Sequence, residues 1–448
     1  MNLAEIIQEK DIVVELDADE VPAHGTTKDW KGSEVARFPK HKFPTRQVLI
    51  NYITDYGNSF FMRYFAKGNH GEVYVPKDFT LKQSEAKTRA ALMEEYKKHI
   101  WNDIHLHLPK YFMIGSDPEM FVEDSTTGVV VPAFEFLPPK KDSKGVVTSL
   151  YWDGFQAEFS PTAAGCLEGH LSNIRNHLLA LDQRAKQYNK NAKLSFRTTM
   201  DIPNDKLLIA ANEHVQFGCM PSLNAYGMKG IESDGRDVPF RPAGGHLHFG
   251  VGKKTEEAYV RMVKALDAIT GVACVSLFAK FDDVRRRKLY GLAGEYRLPA
   301  HGLEYRVLSN AWLNHPVIAN LVIDLARKSL TFGEKNLIEY WKGSEEETIR
   351  IINECDVEAA RSSMEKNKEV YLKLFKSCYP AYSQAGMTSS QKEKGDAYNN
   401  YEVIYNIFLK GMESVVKTPD DVHRNWFVTS SPGRWRDLCG FIVKGEKV

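Results

Sequence analysis

Short segments between residues 109 and 330 share a pattern that narrows the choice of fold, because apolar and ionisable residues alternate along them. A two-residue period places the apolar side chains of a strand on one face and the ionisable ones on the other. Such strands suit an antiparallel sheet with one buried face and one open face. The pattern recurs in six stretches bounded by Gly, Pro and Asp: YFMIGSDPEMFVED, TGVVVPAFEF, SLYWDGFQAEFSP, GGHLHFGV, AGEYRLP and GLEYRVLSN.

Helical patterns lie between these strands. The longest are CLEGHLSNIRNHLLALDQRAKQY, TEEAYVRMVKALDAITGVACVSLFAKF and HPVIANLVIDLARKSL. Runs of strands with helices inserted between hairpins predict the α+β class. We therefore expect an antiparallel sheet with helices on its apolar face, and we expect the chemistry on the other face.

The chain divides by character into three regions. Residues 1–108 are polar and rich in helix breakers, with a helix pattern that begins at the capping residue Ser84. We interpret them as an N-terminal extension appended to the sheet. Residues 109–330 are the predicted core, and residues 331–448 are a mostly helical C-terminal region.

Composition argues against several classes of protein. The chain has 59 basic and 58 acidic residues, so its net charge of +1 does not indicate a nucleic-acid partner. The overall balance does not exclude a local basic patch. The six scattered cysteines form no C-x-x-C motif and are typical of reduced thiols. The N-terminus is too acidic for a signal peptide, and the longest apolar stretch, residues 268–279, is too short to span a bilayer. We expect a cytoplasmic protein without a membrane partner.

The ionisable faces of the predicted strands carry an unusual set of side chains. They hold carboxylates, imidazoles and guanidiniums, whereas lysine, which a solvated face favours, is nearly absent. The turn PAHG between the two E-Y-R tripeptides predicts a hairpin that brings two Glu and two Arg onto neighbouring strands. The residue pairs that share a face are Asp117 with Glu119, Gln156 with Glu158, His246 with His248, Glu295 with Arg297, and Glu304 with Arg306.

This set of side chains points to a particular chemistry. Carboxylates with one or two histidines suit hard divalent cations such as Mg²⁺ or Mn²⁺, and several carboxylates together need a cation. Arginine forks match the oxygens of a phosphate. Glycines at 244, 245 and 250 allow a backbone or ligand to approach closely. Metal, phosphate and arginine together predict phosphoryl transfer.

Each pair also has a structural interpretation. The Asp-Pro-Glu stretch is more often a turn with exposed carboxylates, and a Glu-x-Arg pair is usually a cross-strand ion pair. His105 and His107 repeat the spacing of His246 and His248 without flanking glycines or a nearby anion-binding residue, and we interpret them as structural. The interpretation as a site rests on the combination, because independent solvated faces should not all share one ligand chemistry.

Four stretches together, IGSDPEMF, DGFQAEFSP, GGHLHFG and YGLAGEYRLPAHGLEYRVLSN, resemble the carboxylate–amine ligase superfamily of glutamine synthetase and glutamate–cysteine ligase. The nearest likeness is to the phage-type COOH–NH2 amidoligases, type 2. The resemblance covers roughly residues 110–330, which would be the catalytic core. It implies a half-open barrel with two or three Mg²⁺ or Mn²⁺ ions between ATP and an acid. The sequence GGHLHFGVGKKT lacks P-loop spacing, so ATP would bind without a P-loop.

The resemblance also implies roles for individual residues. Asp117 matches the first position of an acidic pair in which the family usually has Glu. Asp153 is a looser candidate for a further metal carboxylate. The implied metal ligands are Asp117, Glu119, Glu158, His246 and Glu304. The implied phosphate or substrate contacts are His248, Arg297 and Arg306, which would also act in catalysis, and the looser match Arg287.

We therefore predict an ATP-dependent ligase that forms an amide through an acylphosphate, with small-molecule or peptide acids and amines as substrates. One alternative is a metal-dependent hydrolase or nucleotidyltransferase that uses the same ions. Another is a non-catalytic binding or assembly protein on a decayed ligase scaffold. The sequence leaves the acid, the amine, the general base and the oligomeric state open.

Overall fold

The computed structural model describes a large part of the chain. The predicted structural histidines His105 and His107, and the helix pattern from Ser84, lie outside that part. The described residues are 12–14, 36–38, 113–141, 145, 147–164, 167–215, 222–229, 235–376 and 401–428.

The chain forms two compact units. One comprises Met1–Tyr111 with Lys335–Leu337, and the other Phe112–Glu334 with Ile338–Val448. The division at residues 108 and 330 stays a prediction. In the first unit, strands β1 (Ile12–Val14) and β2 (Ala36–Phe38) pair antiparallel.

The second unit is built on an eight-stranded sheet in which the strand pairs are antiparallel. The order is β4–β5–β3–β10–β12–β11–β8, and β6 pairs with the far half of the long strand β3. Strands β7 and β9 form a separate pair. The strands are β3 (Ile114–Asp124), β4 (Leu150–Asp153), β5 (Gln156–Phe159), β6 (Ala192–Ser195), β7 (Thr199–Asp201), β8 (Leu223–Asn224), β9 (Phe240–Pro242), β10 (Gly245–Phe249), β11 (Glu295–Arg297) and β12 (Leu303–Tyr305).

Helices account for much of the rest of the second unit. A π-helical segment, Leu266–Gly271, joins α4 to α5 without a break. Among the residues that the structure describes, the α-helices are α1 (Leu167–Tyr188), α2 (Asn204–Ile209), α3 (Asn212–Val215), α4 (Glu256–Ala265), α5 (Val272–Phe278), α6 (Pro316–Glu334), α7 (Glu345–Glu354), α8 (Val357–Lys366), α9 (Lys368–Lys376) and α10 (Tyr401–Lys410).

Helices pack on the apolar face of the sheet, as the alternation predicts. Leu247 and Tyr305 on this face are fully buried. The Tyr305 hydroxyl donates to Asp267 of the π-helical segment at 2.6 Å, and Ser116 contacts His170 of α1 at 3.1 Å. These two helical segments therefore lie on the opposite side of the sheet from the ionisable residues.

The long apolar helix of the sequence belongs to the core. The stretch Glu256–Phe281 is long and apolar enough to cross a membrane, but 89% of its most apolar window is buried inside the protein. Burial of that surface is a main source of stability, at about 25 cal/mol per Å² of apolar area.

One expected strand does not form. In TGVVVPAFEF, Val130 makes only an isolated bridge to Glu123, and a 3₁₀ turn, Ala133–Glu135, follows. Pro132 lacks the N–H that a strand would donate, and its φ of −62° begins the turn. The prediction was wrong here because a proline interrupts the alternation.

The predicted class is confirmed. The protein is α+β, with an antiparallel sheet that does not close on itself and with helices packed against it. The described part of residues 331–448 is largely helical, in α7 to α10.

Candidate functional site

The strand register brings the predicted site residues to neighbouring positions. Across β3 and β10, Asp117 lies opposite His246, and across β10 and β12, His248 lies opposite Glu304. Glu304 in turn lies opposite Arg297. Directly opposed residues point to the same face of a sheet. The ionisable side chains of four strands therefore line one continuous surface.

A second register match extends this surface toward the edge of the sheet. Glu119 of β3 lies opposite Glu158 of β5. The β4–β5 hairpin turns tightly between Asp153 and Gln156, where Gly154 has a φ of +62° that favours glycine. This turn brings Asp153 beside the two glutamates.

Asp117, His248 and Glu304 form the first cluster, which we call the histidine group. One potential ligand atom from each lies within 4.8 Å of the others. His248 Nε2 is 3.0 Å from Asp117 Oδ1, and His246 Nδ1 is 3.4 Å from the same oxygen. His301, in the β11–β12 turn, contacts His248 Nδ1 at 2.9 Å and so orients its ring.

Two arginines border the histidine group. Arg306 is buried and contacts Glu304, and its Nη1 lies 3.5 Å from His246 Nδ1. Arg297 Nη1 is 3.7 Å from Glu304 Oε1, and its side chain is 27% exposed. A partly exposed guanidinium can turn to a ligand at little cost, whereas a buried one contributes a fixed charge.

Glu119, Asp153 and Glu158 form the second cluster, the carboxylate group. Their ligand atoms also lie within 4.8 Å of one another. Three donors converge on Glu119 Oε2: the Tyr290 hydroxyl at 2.6 Å, the Gly244 amide at 2.8 Å and the Gln156 amide at 3.2 Å. They fix the carboxylate and leave its second oxygen outside these hydrogen bonds.

A glycine makes this arrangement possible. A Cβ atom at Gly244 would collide with His246 Nε2 and the Tyr290 hydroxyl. The neighbouring Gly245 leaves room for the indole of Trp312. The glycines before the histidines therefore make room for side chains of the protein itself.

The two groups shift the pKa values of their carboxylates in opposite directions. Burial acts to raise the pKa of Asp117, but His248 and His246 outweigh it and the pKa falls below its ordinary value. In the carboxylate group, burial and the charge of Glu119 raise the pKa of Asp153 to about 7. Burial, with Asp117 and Asp153 nearby, raises the pKa of Glu158 well above its ordinary value.

The donors of both groups fit divalent cations. Three carboxylates so close together repel one another unless a cation or proton separates them. Among the described residues, His246 Nε2 and Asp117 Oδ1 are buried without an aligned hydrogen-bond partner. Carboxylate oxygens with one histidine nitrogen are the ligands that Mg²⁺ and Mn²⁺ accept.

The structure differs from the sequence expectations in two placements. His248, expected beside phosphate, is grouped with Asp117 and Glu304, whereas His246, expected on metal, lies next to them. Arg287 is not brought to either group. Its guanidinium is buried and donates to the Val307 carbonyl at 2.7 Å and to Asp282 at 3.3 Å.

Sequence reasoning missed several residues that contact the two groups. Tyr290 follows three arginines and a lysine in a region without strand periodicity, and His301 lies in a turn. The Tyr151 hydroxyl donates to Glu158. The strand pattern identified carboxylates, imidazoles and guanidiniums, and so it did not indicate this phenol. The PAHG turn was the only signal that could have indicated His301.

Comparison with known proteins gives one family match. Residues 231–384 match the family described as phage phiEco32-like COOH.NH2 ligase-type 2. The matched range contains the histidine-group residues His248 and Glu304 together with both arginines. No curated protein matches the chain.

A solved structure, the bifunctional glutathione synthetase from Pasteurella multocida, is also similar. It is 13% identical with a TM-score of 0.32, and the match covers 78% of this chain and 57% of that one. A similarity this weak carries no argument about function. The family match over residues 231–384 is to the same group of ligases that the motifs resemble.

Proposed function

We propose that this protein is an ATP-dependent carboxylate–amine ligase that requires Mg²⁺ or Mn²⁺. One observation carries the proposal: two groups of cation ligands lie on one face of the sheet, with Arg297 and Arg306 beside them. The family match supports carboxylate–amine ligation as the reaction class.

The reaction divides into two displacements. The substrate carboxylate attacks the γ-phosphorus of ATP, ADP leaves, and an acylphosphate forms. The amine then attacks the acyl carbon, phosphate leaves, and the nitrogen gives up a proton as the amide forms. Splitting the condensation in this way replaces one difficult step with two easier ones.

The residues of the chain hold and neutralise the reacting groups. Asp117, Glu304 and His248 would bind one cation, and Glu119, Asp153 and Glu158 another. The cations would neutralise negative charge on the transferred phosphoryl group. Arg297, which is partly exposed, would bind a phosphate oxygen directly, and the buried Arg306 would add a fixed positive charge.

This route needs no nucleophilic side chain. Neither described cysteine, Cys274 or Cys355, is a member of either group, and burial raises the pKa of Cys274 well above its ordinary value. A thiol in that environment is a poor nucleophile at neutral pH.

We also propose that the enzyme works on small-molecule or peptide substrates in the cytoplasm, which would be that of the host if a phage encodes it. Burial of the long apolar helix within the core is consistent with a water-soluble protein, which this location requires.

ADP release by the purified protein with ATP and Mg²⁺ tests the proposal. Pools of amino acids, small peptides and polyamines supply the acid and the amine. Glu304→Ala removes a ligand of the histidine group. Glu123→Ala is the matched control, because Glu123 is a buried, ion-paired glutamate at the far end of β3.

A ligase sustains ADP release over many turnovers only when both an acid and an amine are present. It loses this turnover in Glu304→Ala and keeps it in Glu123→Ala. ATP cleavage without either substrate would indicate a hydrolase, and release of pyrophosphate a nucleotidyltransferase. A protein that binds neither Mn²⁺ nor ATP would be a non-catalytic scaffold.

A further inference from the structure

Lys140 places a cation beside the carboxylate group. Its Nζ is 3.5 Å from Glu158 Oε1 and 4.6 Å from the centre of the Tyr151 ring. The lysine side chain is 54% exposed, whereas that of Glu158 is 12% exposed. A charge that reaches from solvent to a nearly buried carboxylate can leave it without unfolding the protein around it.

The backbone of this lysine is fixed while its side chain is free to move. The Lys140 carbonyl accepts from the Thr148 amide at 3.0 Å, and the Pro138 carbonyl accepts from the Trp152 amide at 3.1 Å. Lys141 bridges to Val147. These bonds hold the segment along the edge strand β4, within reach of Glu158 by rotation of the lysine side chain alone.

A cation on the carboxylate group changes the surroundings of this ammonium. Glu158 would then share its negative charge with the metal, and the metal would repel the lysine. The histidine group has Arg297 and Arg306 at its side, whereas Lys140 lies at the other end of the surface. An anion held between the two groups would therefore meet positive side chains at both ends.

We propose that Lys140 changes partners, pairing with Glu158 in the cation-free protein and with a phosphate oxygen of the nucleotide once a cation is bound. The inference rests on the proposed function, because it assumes that a metal–nucleotide complex occupies this surface. It assigns Lys140 a role in nucleotide binding that the strand patterns do not indicate.

Lys193 provides a matched control. Its Nζ lies 3.9 Å from Glu123 Oε1, and the two side chains are 51% and 10% exposed. The pair thus has the same charges and nearly the same exposure on the same sheet, but it lies at the β3–β6 end, where Arg197 Nε is also 3.8 Å from Glu123 Oε2. Loss of a surface lysine as such should affect both variants equally.

Isothermal titration calorimetry with two ligands tests the exchange. The first is Mn²⁺ alone, and the second is the non-hydrolysable β,γ-imido analogue of ATP in saturating Mn²⁺. In Lys140→Met, Mn²⁺ should bind about two- to fivefold tighter, because a competing positive charge is lost. The nucleotide analogue should bind about tenfold weaker or more, because a charge-assisted hydrogen bond is lost.

Changes of opposite sign separate this role from a structural one, which would weaken both ligands together. Lys140→Arg should restore nucleotide binding, and Lys193→Met should match the wild type for both ligands. The inference is overturned if Lys140→Met binds the nucleotide analogue as Lys193→Met does, or loses affinity for both ligands. A wild-type protein that binds neither Mn²⁺ nor the analogue would instead contradict the proposed function.

Discussion

The histidine group and the carboxylate group lie on the same face of the sheet but balance their charges differently. In the first, two carboxylates are surrounded by two histidines and two arginines, and the pKa of Asp117 is lowered. In the second, three carboxylates lie together with Lys140 at the edge, and the pKa of Asp153 is raised to about 7.

The two groups therefore differ in how much negative charge a bound cation would have to neutralise. The negative charge of the histidine group is balanced by positively charged side chains of the protein, so the group can keep its geometry without a metal. The carboxylate group stores mutual repulsion that a bound cation would relieve. Variants in the two groups should therefore change activity in the same direction and stability in opposite directions.

The largest expected effect is on activity. His246→Ala should lower ligase activity by about a hundredfold, the upper end of what loss of an outer-shell partner of a metal costs. The protein should stay folded, because His246 Nε2 has no aligned hydrogen-bond partner among the described residues. His105→Ala, with the same H-x-H spacing, should leave activity intact. Equal losses in the two variants, measured by ADP release and circular dichroism, would remove the distinction between the histidine pairs.

A smaller loss of activity is expected at the carboxylate group. Tyr290→Phe removes the hydroxyl that donates to Glu119 at 2.6 Å but keeps the ring. Activity should fall by about tenfold to a hundredfold, with a weaker apparent affinity for Mg²⁺. Tyr259→Phe is a suitable control, because its hydroxyl donates to the Gly252 carbonyl. If both variants lost activity equally, Tyr290 would have no special role.

Stability should respond with opposite signs in the two groups. At pH 8 without metal, ionised Asp117 is stabilised by its histidines, so Asp117→Asn should lower the free energy of unfolding by about 1–2 kcal/mol. Ionised Asp153 is destabilised by its neighbours, so Asp153→Asn should raise it by a similar amount, about 1–2 kcal/mol. Urea unfolding in EDTA measures both. A loss of stability in both variants would contradict the predicted difference in charge balance between the two groups.

The smallest expected effect is a pH dependence of metal stabilisation. The folded-state pKa of Asp153 is about 7, above its ordinary value of 3.8, so its contribution to stability is full below about pH 4 and lost as pH rises through 7. Mn²⁺ replaces the lost protons. The rise in melting temperature with Mn²⁺ should therefore be larger at pH 8 than at pH 5.5, by a few degrees. An equal rise in melting temperature at both pH values would indicate that Mn²⁺ does not bind at the carboxylate group.

The alternating strands made part of this site predictable. The i, i+2 rule places Asp117 with Glu119 and Glu304 with Arg306, because the side-chain period of a strand is independent of tertiary structure. The register that joins these strands was not predictable, since it is set by pairing between segments far apart in sequence. The same sequence pattern therefore indicated which face is ionisable but not which residues meet.

The alternating pattern could not predict the site residues that lie outside the strands. Tyr290 and Lys140 reach the carboxylate group from irregular segments, where no periodicity fixes the direction of a side chain. Arg287 shows the converse, because the structure does not bring this predicted residue to either group. It lies in the 3₁₀ turn Val284–Lys288, where its guanidinium is held by a backbone carbonyl near the end of β12. Composition alone could not distinguish this structural arginine from Arg306.

The number of Mn²⁺ ions bound per chain shows whether the sheet face holds two cation sites. Equilibrium titration followed by electron paramagnetic resonance should count at least two ions in the wild type and in Glu123→Ala. Glu304→Ala and Glu158→Ala should each lose one ion, and together they should lose both. A wild-type protein that binds no Mn²⁺, or variants that all bind as the wild type does, would contradict the two cation groups on which the account depends.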